Sequence, residues 1–229
     1  MPVKYPIAEI FSSIQGEGLH TGTPMTFVRL AGCNVGKFGQ ELVQLQNHDS
    51  AKYKQALCRD VFGEEFVCDT DYHSQVFLTP SEILDRVDQP IMLLTGGEPA
   101  AHDLEALLDE ANKRSISMHM ETSGTKPLAD LRLDWIACSP KSGYLRENTP
   151  CIKEFKFLAG EDFSLAHMKQ FLLDNHVHID SDLGPLVYLQ PINYTNTILG
   201  DNLERAIKIV KDVPGLRLSV QMHKFLQVR

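Results

Sequence analysis

Seven short runs of aliphatic and β-branched residues recur along the chain, and segments of helical periodicity separate several of them. Most runs are nearly continuous in apolar residues rather than alternating, which is typical of strands buried on both faces. Such strands joined by helices form a parallel sheet, so the sequence predicts an α/β fold, either doubly wound or a partial barrel. The runs are "MTFVRLAG", "IMLLTGG", "SISMHMETS", "LDWIACSP", "IKEFKFL", "PLVYLQPI" and "LRLSVQM".

Two segments have the spacing of an amphipathic helix, with apolar residues at positions i, i+3, i+4 and i+7. Each therefore predicts a helix with one apolar stripe. Ser81 follows Pro80 and precedes Glu82, and is predicted to cap the start of a third helix. The stripes consist of Leu104, Leu107, Leu108 and Ala111 in one helix and of Leu203, Ala206, Ile207 and Val210 in the other.

Length and composition describe an ordinary globular chain, because 229 residues with 43% hydrophobic and 23% charged content can bury a substantial core. No repeat, low-complexity tract or interdomain linker interrupts it, so we predict a single domain over residues 1–229. Residues 34–67 are polar and charged with little clean periodicity. A segment this long is more than an ordinary connection, and we predict a functional insertion there.

The charge balance narrows the class of partner. A formal net charge of -8 and a sequence pI near 5.6 argue against nonspecific binding to nucleic acid or to an anionic membrane. The first residues, "MPVKYPIAEIFSS", contain neither a signal-peptide pattern nor an apolar run that spans a bilayer. We therefore expect a cytoplasmic protein that acts on a small molecule.

Polar residues of ligand type follow four successive predicted strands. Any one of them could begin a solvated loop. Parallel strands, however, bring their carboxyl ends to one edge of the sheet, where ligands bind in folds of this class. We therefore expect these side chains to line one crevice: Glu98 in "TGGEP", Glu121, Thr122 and Ser123 in "ETSGT", Ser139 and Lys141 in "SPK", and Gln190 in "LQP".

Three polar residues near the start of the chain add to this set. Gln15 and Glu17 lie between small residues in "SSIQGEG". Arg29 lies inside an otherwise apolar strand, where a buried guanidinium without an anionic partner would be costly. Arg29 therefore predicts a carboxylate or phosphate partner.

Five cysteines, an odd number, are unlike a disulfide framework in a reducing compartment, and indicate metal ligands, catalytic thiols or core residues. Cys33, Cys58 and Cys68 are spaced C-x24-C-x9-C, which no compact metal motif uses. With a histidine they could form a zinc site. His48 and His73 lie near this segment and could be ligands if Cys58 is not. The other two cysteines, Cys138 and Cys151, are interpreted as core residues.

In sequence order, the blocks "EIFSSIQGEG", "FVRLAGCN", "CDTDY", "TGGEP", "ETSGT", "SPK", "LQP" and "QMHKFLQVR" span the chain. Together they resemble the radical S-adenosylmethionine (SAM) enzymes, and within them the 7-carboxy-7-deazaguanine synthase family of queuosine biosynthesis. The resemblance implies an abbreviated radical-SAM partial (βα) barrel with an inserted cluster-binding loop. It also implies a homodimer.

The resemblance implies that Cys33, Cys58 and Cys68 ligate a [4Fe-4S] cluster, for which thiolates are suitable soft ligands. The usual radical-SAM spacing is C-x3-C-x2-C, and this chain departs from it at both intervals. We interpret the departure as an intact triad that carries an insertion. The insertion is expected to pack as a short helical lid through Tyr53, Leu57, Val61, Phe62 and Phe66.

The same resemblance assigns the remaining site residues by matching position. Those expected to bind SAM are Gly96, Gly97, Glu98, Ser123, Ser139, Lys141 and Gln190. Those expected to bind substrate are Gln15 and Glu17 at the pterin edge, Arg29 at the substrate carboxylate, and His223 and Arg229 at the C-terminus. Thr70 matches a position that ligates Mg2+, for which hard oxygen ligands are suited.

The activity implied is the radical-mediated ring contraction of 6-carboxy-5,6,7,8-tetrahydropterin to 7-carboxy-7-deazaguanine with loss of ammonia, supplied with electrons by a donor such as flavodoxin. Two alternatives remain. A radical-SAM activase would share the cysteines and "TGGEP" but has no evident need for Gln15, Glu17 and Arg29. A zinc-binding module would leave the strand-end residues unexplained.

Overall fold

The computed structural model describes residues 2–38, 56–68, 70, 75–179, 184–193 and 200–228. The strands of this described part are β1 (Tyr5–Ile14), β2 (Pro24–Leu30), β3 (Lys37–Phe38), β4 (Ala56–Arg59), β5 (Glu65–Val67), β6 (Val76–Leu78), β7 (Ile91–Gly96), β8 (Ser117–Thr122), β9 (Trp135–Cys138), β10 (Glu154–Ala159), β11 (Leu186–Pro191) and β12 (Arg217–Leu218). Its α-helices are α1 (Pro80–Leu84), α2 (Glu105–Lys113), α3 (Leu165–Asp174), α4 (Gly200–Asp212) and α5 (Met222–Leu226). Pro99–Ala101 and Arg146–Cys151 form 3-10 turns.

Nine of these strands form one open sheet in the order β12-β11-β10-β9-β8-β7-β2-β1-β6. The seven predicted strands are all present, and neighbours from β2 to β12 pair in parallel. One face of the sheet packs on the main hydrophobic core, to which Phe155, Phe157 and Leu189 contribute. Alternate residues face the other way, and we call that side the inner face.

Two strands of this sheet were missing from the sequence prediction. β1 and β6 pair with each other in antiparallel fashion, and β1 also pairs antiparallel with β2. β1 is only partly buried along most of its length. Glu9, Ser12 and Ser13 interrupt its apolar residues, and the search for continuous apolar runs passed over it.

Both predicted helical stripes are found in helices, α2 and α4, although the outer edge of the α4 stripe at Ile207 is 40% exposed. The predicted Ser81 cap is wrong. Thr79 caps α1 instead, because its side chain accepts from the Glu82 N–H at 3.3 Å while Glu82 accepts from the Thr79 N–H at 2.8 Å. No described helix is long and apolar enough to cross a membrane.

The insertion is a small antiparallel sheet where it is described, with strand order β3-β4-β5. The expectation of a helical lid is therefore wrong for residues 56–67. Gly63 has a φ of +90°, which glycine adopts readily, and this allows the tight turn of the β4–β5 hairpin. Tyr53, His48 and His73 lie outside the described residues.

The tip of the β4–β5 hairpin is anchored on the main domain. Val61 and Phe62 pack against the main core, and the Phe62 ring stacks 5.8 Å from that of Phe157. Asp60 is buried and accepts from the Phe62 N–H at 2.8 Å, which fixes the turn. The Ser142 N–H also donates to the Arg59 carbonyl at 3.1 Å, so the hairpin is tied to the loop after β9.

Phe62→Ala should therefore destabilise the protein. Fully buried Phe→Ala changes cost about 3–5 kcal/mol, and we expect about 1–3 kcal/mol here because Phe62 is half-buried. Denaturant unfolding measures this directly. Leu57→Ala is the matched control in the same hairpin, since Leu57 is 41% exposed. Equal stability of the two variants would show that the hairpin is not anchored through Phe62.

Candidate functional site

Three cysteines distant in sequence meet beside the main domain. Cys58 lies on β4 and is buried, and Cys33 and Cys68 pack against it in a small cluster. Cys33 follows β2, and its sulfur accepts from the Val35 N–H at 3.4 Å. By contrast Cys138 is buried in the main core, and Cys151 packs at its margin.

The crowding of these thiols has an electrostatic cost that a bound cation would remove. A hydrogen bond with Cys68, burial, and the nearness of the Cys68 and Cys33 thiols all raise the pKa of Cys58. Metal binding displaces such protons, because the thiolate is the ligand. No group of three or more His, Cys, Asp or Glu side chains in the described part of the chain could hold a single metal ion. The thiolates of an iron–sulfur cluster lie farther apart than the ligands of a single ion, because each thiolate binds a different iron.

The residues of "TGGEP" place the end of β7 against the segment that leads to Cys33. The Gly97 N–H donates to the Leu30 carbonyl at 3.1 Å, and the Glu98 N–H donates to the Gly32 carbonyl at 3.0 Å. A side chain at Gly97 would overlap the Gly32 carbonyl. Glycine is therefore required here for the two backbones to approach, and the approach holds Cys33 beside the strand end.

Glu98 is fully buried, and the hydrogen bonds of its carboxylate are made within the protein. It accepts from the Thr122 hydroxyl at 2.7 Å and from the Ser123 N–H at 2.8 Å, and the Ser123 hydroxyl makes a very short bond to it. Glu98 also accepts from the Ala100 N–H at 3.2 Å. It therefore joins the ends of β7 and β8 and orients Ser123.

The "SPK" segment after β9 lies next to the cysteines. The Lys141 ammonium donates to the Ser139 hydroxyl at 2.6 Å and to the Ser139 carbonyl at 2.9 Å, and it lies 5.1 Å from the centre of the Phe66 ring. Phe66 packs on Cys58. Burial lowers the pKa of Lys141, although the neighbouring cysteines and Asp60 oppose that shift.

Arg29, Thr95 and Glu121 occupy neighbouring strands on the inner face. Arg29 pairs in register with Thr95, and the Thr95 hydroxyl donates to Glu121 at 2.9 Å. Arg29 also has an anionic neighbour within the chain, since its Nε lies 3.5 Å from a Glu9 carboxylate oxygen. The Arg29 side chain is 22% exposed, which leaves room for a further anion beside it.

Lys156 on β10 joins these residues to the "QGEG" loop. Its ammonium donates to Glu17 at 2.7 Å and to Glu121 at 3.0 Å, and its side chain is only 6% exposed. Burial alone would raise the pKa of Glu17, but the charge and hydrogen bond of Lys156, a hydrogen bond from Gln221 and nearby His223 lower it to about 2. Burial would lower the pKa of Lys156, yet the carboxylates around it raise it well above its usual value.

Sequence reasoning missed Lys156, although part of the signal was present. Lys156 lies between Phe155 and Phe157, much as Arg29 lies between apolar residues, but Lys153 and Glu154 precede it and break the apolar pattern of the run. Thr95 and Gln221 were missed as well, because a threonine or glutamine at a strand end is common and carries no signal of its own.

The C-terminal segment closes over the "QGEG" loop. The Met222 N–H donates to the Gly16 carbonyl at 2.9 Å, and a side chain at Gly16 would overlap the His223 ring. Gln221 donates to Glu17 at 2.9 Å. Ser219 links the loop to β11, since it donates to Gln190 at 3.1 Å and accepts from the Gly18 N–H at 3.1 Å.

The predicted residues are thus grouped in two adjoining sets. The first set lies at the cysteine cluster and consists of Cys33, Cys58, Cys68, the glycines of "TGGEP", Ser123, Ser139 and Lys141. Gln15, Glu17, Arg29, Gln190 and His223 lie around the inner face and the loop that covers it. Thr70 is half-buried after Cys68. Arg229 lies outside the described residues.

Comparison with known proteins gives matches along the whole chain, whereas no family model matches it. The 7-carboxy-7-deazaguanine synthase of Bacteroides thetaiotaomicron is 31% identical over 226 residues, covering 97% of this chain and 98% of the relative. The synthase of Escherichia coli is 29% identical over 238 residues, covering 99% of this chain and 100% of the relative. The synthase of Synechocystis is 30% identical over 236 residues, which are 100% of this chain and 96% of the relative.

The fold is also that of a solved relative. The crystal structure of QueE from Escherichia coli matches with a TM-score of 0.67 and 26% identity, covering 96% of this chain and 95% of that one. The predicted class, an α/β partial barrel of the radical-SAM type, is confirmed by this match and by the mostly parallel open sheet.

Proposed function

Because the chain belongs to the 7-carboxy-7-deazaguanine synthase family of radical SAM enzymes, we propose that it converts 6-carboxy-5,6,7,8-tetrahydropterin to 7-carboxy-7-deazaguanine in deazapurine biosynthesis. The structural observation that carries the proposal is the meeting of Cys33, Cys58 and Cys68 next to the strand ends of the parallel sheet. That arrangement supports a cofactor site beside a polar inner face that would suit a small heterocycle.

The three cysteine thiolates would hold a [4Fe-4S] cluster, and the crowded thiols fit a shared cationic group. When bound, the cluster and SAM supply the radical that initiates the ring contraction. The β4–β5 hairpin presents Cys58, and the Leu30–Gly97 backbone contact fixes the approach of Cys33. The insertion within this single domain, at about residues 34–67, thus serves to carry the second ligand.

SAM would lie across the strand ends beside the cysteines. The absence of side chains at Gly96 and Gly97 would let the amino and carboxylate groups of SAM approach the backbone there. Ser123 and Ser139 would present hydroxyls, and Lys141 a positive charge. The assignments expected from the family are Gly96, Gly97, Glu98, Ser123, Ser139, Lys141 and Gln190; Glu98 would act by orienting Ser123.

The substrate would lie over the inner face. Arg29 would bind its carboxylate, while Gln15 and Glu17 would bind the pterin edge and His223 would close the site, with Arg229 beyond it. Arg29 and Glu121 are two strand spacings apart, about 10 Å, which suits a bicyclic ring that carries a carboxylate at one end. Thr70 would supply an oxygen ligand to Mg2+ between the cluster region and the substrate.

Further features of the family are part of the same proposal. We propose that the protein is a cytoplasmic homodimer, that it receives electrons from a donor such as flavodoxin, and that nucleic acid and membranes are not its partners. The acidic net charge of -8 supports the last point, because phosphate backbones and anionic lipids repel it.

Anaerobic reaction of the reconstituted protein with SAM, a reductant and 6-carboxy-5,6,7,8-tetrahydropterin tests the function. We expect 7-carboxy-7-deazaguanine and ammonia as products, identified by mass spectrometry and an ammonia assay. A tetrahydropterin that lacks the 6-carboxylate should give no deazapurine. Absence of the product from a protein with a full iron–sulfur complement would contradict the proposal.

Arg29→Ala should weaken substrate binding far more than SAM binding. A desolvated guanidinium–carboxylate hydrogen bond is worth about 1.5–3 kcal/mol, so the dissociation constant of the substrate should rise roughly 10- to 100-fold. Titration of each ligand separately measures this. Glu9→Gln is the control, since it removes the neighbour of Arg29 within the chain and leaves the guanidinium in place. Equal weakening of both ligands by Arg29→Ala would mean that Arg29 has a structural role.

A further inference from the structure

Lys156 is the one buried cation that contacts both the "QGEG" loop and the strand ends in the described part of the chain. Its ammonium uses two of its three donors on Glu17 and Glu121, at 2.7 Å and 3.0 Å. Glu121 also accepts from the Gln15 amide at 3.3 Å and from the Thr95 hydroxyl at 2.9 Å. Every described partner of these two carboxylates therefore donates to them.

The grouping is not needed to hold the sheet together. β10 packs on the core through its other face, where Phe155 and Phe157 are buried. Taking a lysine and two carboxylates out of water costs free energy, and replacing such a group by apolar residues is often neutral or stabilising. A structural role alone thus gives no reason for a charged trio on the inner face.

The two carboxylates share one cation and belong to partly exposed side chains. The Glu17 side chain is 14% exposed and that of Glu121 is 25% exposed, whereas that of Lys156 is only 6% exposed. An ionised carboxylate accepts hydrogen bonds and donates none. Two of them side by side therefore present an edge that pairs with adjacent N–H groups of a ligand and repels ligand carbonyls.

The cation determines whether this edge persists. Two carboxylates that approach one ammonium within hydrogen-bonding distance lie close to each other, and like charges at such separation drive proton uptake by one of them when the cation is removed. A protonated carboxyl becomes a donor. Glu154, a third carboxyl near Lys156, is buried, and that burial raises its pKa. Neutral or ionised, it supplies no positive charge that could replace Lys156.

We propose that Lys156 is a positioning residue that keeps Glu17 and Glu121 as a paired acceptor edge and thereby makes the site specific for a heterocycle with an adjacent pair of N–H donors. This inference rests on the proposed function, since a 2-amino-4-oxo pterin carries such a pair in its 2-amino and N3 groups. The corresponding 2,4-dioxo ring carries a carbonyl in place of the amine, and this edge should reject it.

The test compares binding of two ligands to the anaerobically reconstituted full chain: 6-carboxy-5,6,7,8-tetrahydropterin and its 2-oxo analogue. The native protein should prefer the pterin. In Lys156→Met we expect that preference to fall by about 10-fold or more, because charge-assisted hydrogen bonds to the amine are lost. Lys156→Arg should retain most of the preference, since guanidinium also pairs with carboxylates.

The ratio of the two dissociation constants separates this role from a structural one, because a loosened site would weaken both ligands alike. Should Lys156→Met not fold, Lys156→Gln keeps a polar side chain without the positive charge, leaves both carboxylates in place, and must show the same loss of preference. An unchanged ratio in the folded variants would overturn the inference while leaving the proposed function intact. Failure of the native protein to bind either ligand would instead overturn the proposed function, and this inference with it.

Discussion

Gly97→Ala is expected to abolish SAM binding and to reduce the iron content of the protein after anaerobic reconstitution. The added methyl group would overlap the Gly32 carbonyl, which is rigid backbone rather than a side chain that can turn away. The strand end must then move, and the hydrogen bonds of the Gly97 and Glu98 N–H groups to the Leu30 and Gly32 carbonyls are lost. Overpacking of this kind costs about 1–3 kcal/mol or more.

Gly200→Ala provides the matched control. Gly200 begins α4, and a methyl group there would meet nothing within 4 Å. We expect native iron content and native SAM affinity from it. If Gly97→Ala also bound SAM with native affinity, the close approach of β7 to the Cys33 segment would have no part in building the site.

Cys58→Ala should leave the protein without a full cluster, and so should Cys33→Ala and Cys68→Ala. Cys58 is the buried centre of the three thiols, and thiolate ligands contribute most of the binding energy of such a group. Iron and sulfide counts after anaerobic reconstitution, with the brown colour of the sample, measure the loss. A zinc protein would be colourless.

Cys138→Ala and Cys151→Ala are the controls for that series, because Cys138 is enclosed in the main core and Cys151 packs at its edge. Both should keep native iron and sulfide. A Cys58→Ala protein that held a full, SAM-cleaving cluster would show that the third ligand is elsewhere, with His48, His73 or Cys138 the next candidates.

The parallel half of the fold could be predicted because burial on both faces leaves a continuous apolar signal. β7 and β9 are examples, since the apolar residues 92–94 of β7 and 136–138 of β9 are all buried. β1 carries no such signal, because only one of its faces packs on the core. The start of α1 was misplaced by two residues for a different reason: Pro80 at the first helical position makes the preceding Thr79 the cap.

The insertion shows a stricter limit of sequence reasoning. The spacing C-x24-C-x9-C says nothing about distance, yet β4 and β5 pair in a hairpin that brings Cys58 to Cys68. Hairpin pairing depends on contacts that form only after the chain has folded, such as Phe62 on Phe157. The short apolar stretches around Val61 and Phe66 fit a helix or a strand equally well, so the lid was predicted with the wrong secondary structure.

The charged inner face was half predictable. Arg29 was identified because a cation in an apolar strand needs a partner, whereas Lys153 and Glu154 break the apolar pattern of "IKEFKFL" and obscure Lys156. Its actual partners, Glu17 and Glu121, come from a loop and from a different strand. Only the folded structure shows that Lys156 contacts both carboxylates.

The most direct test of the assignment is the amount of 7-carboxy-7-deazaguanine formed per SAM consumed, measured anaerobically with the reconstituted protein, a reductant and 6-carboxy-5,6,7,8-tetrahydropterin. We expect many equivalents of product for each SAM lost, because ring contraction with loss of ammonia involves no net oxidation or reduction and so need not consume SAM. Cys58→Ala should form none under the same conditions. Stoichiometric 5'-deoxyadenosine without any deazapurine would contradict the synthase assignment and leave only membership of the radical SAM enzymes.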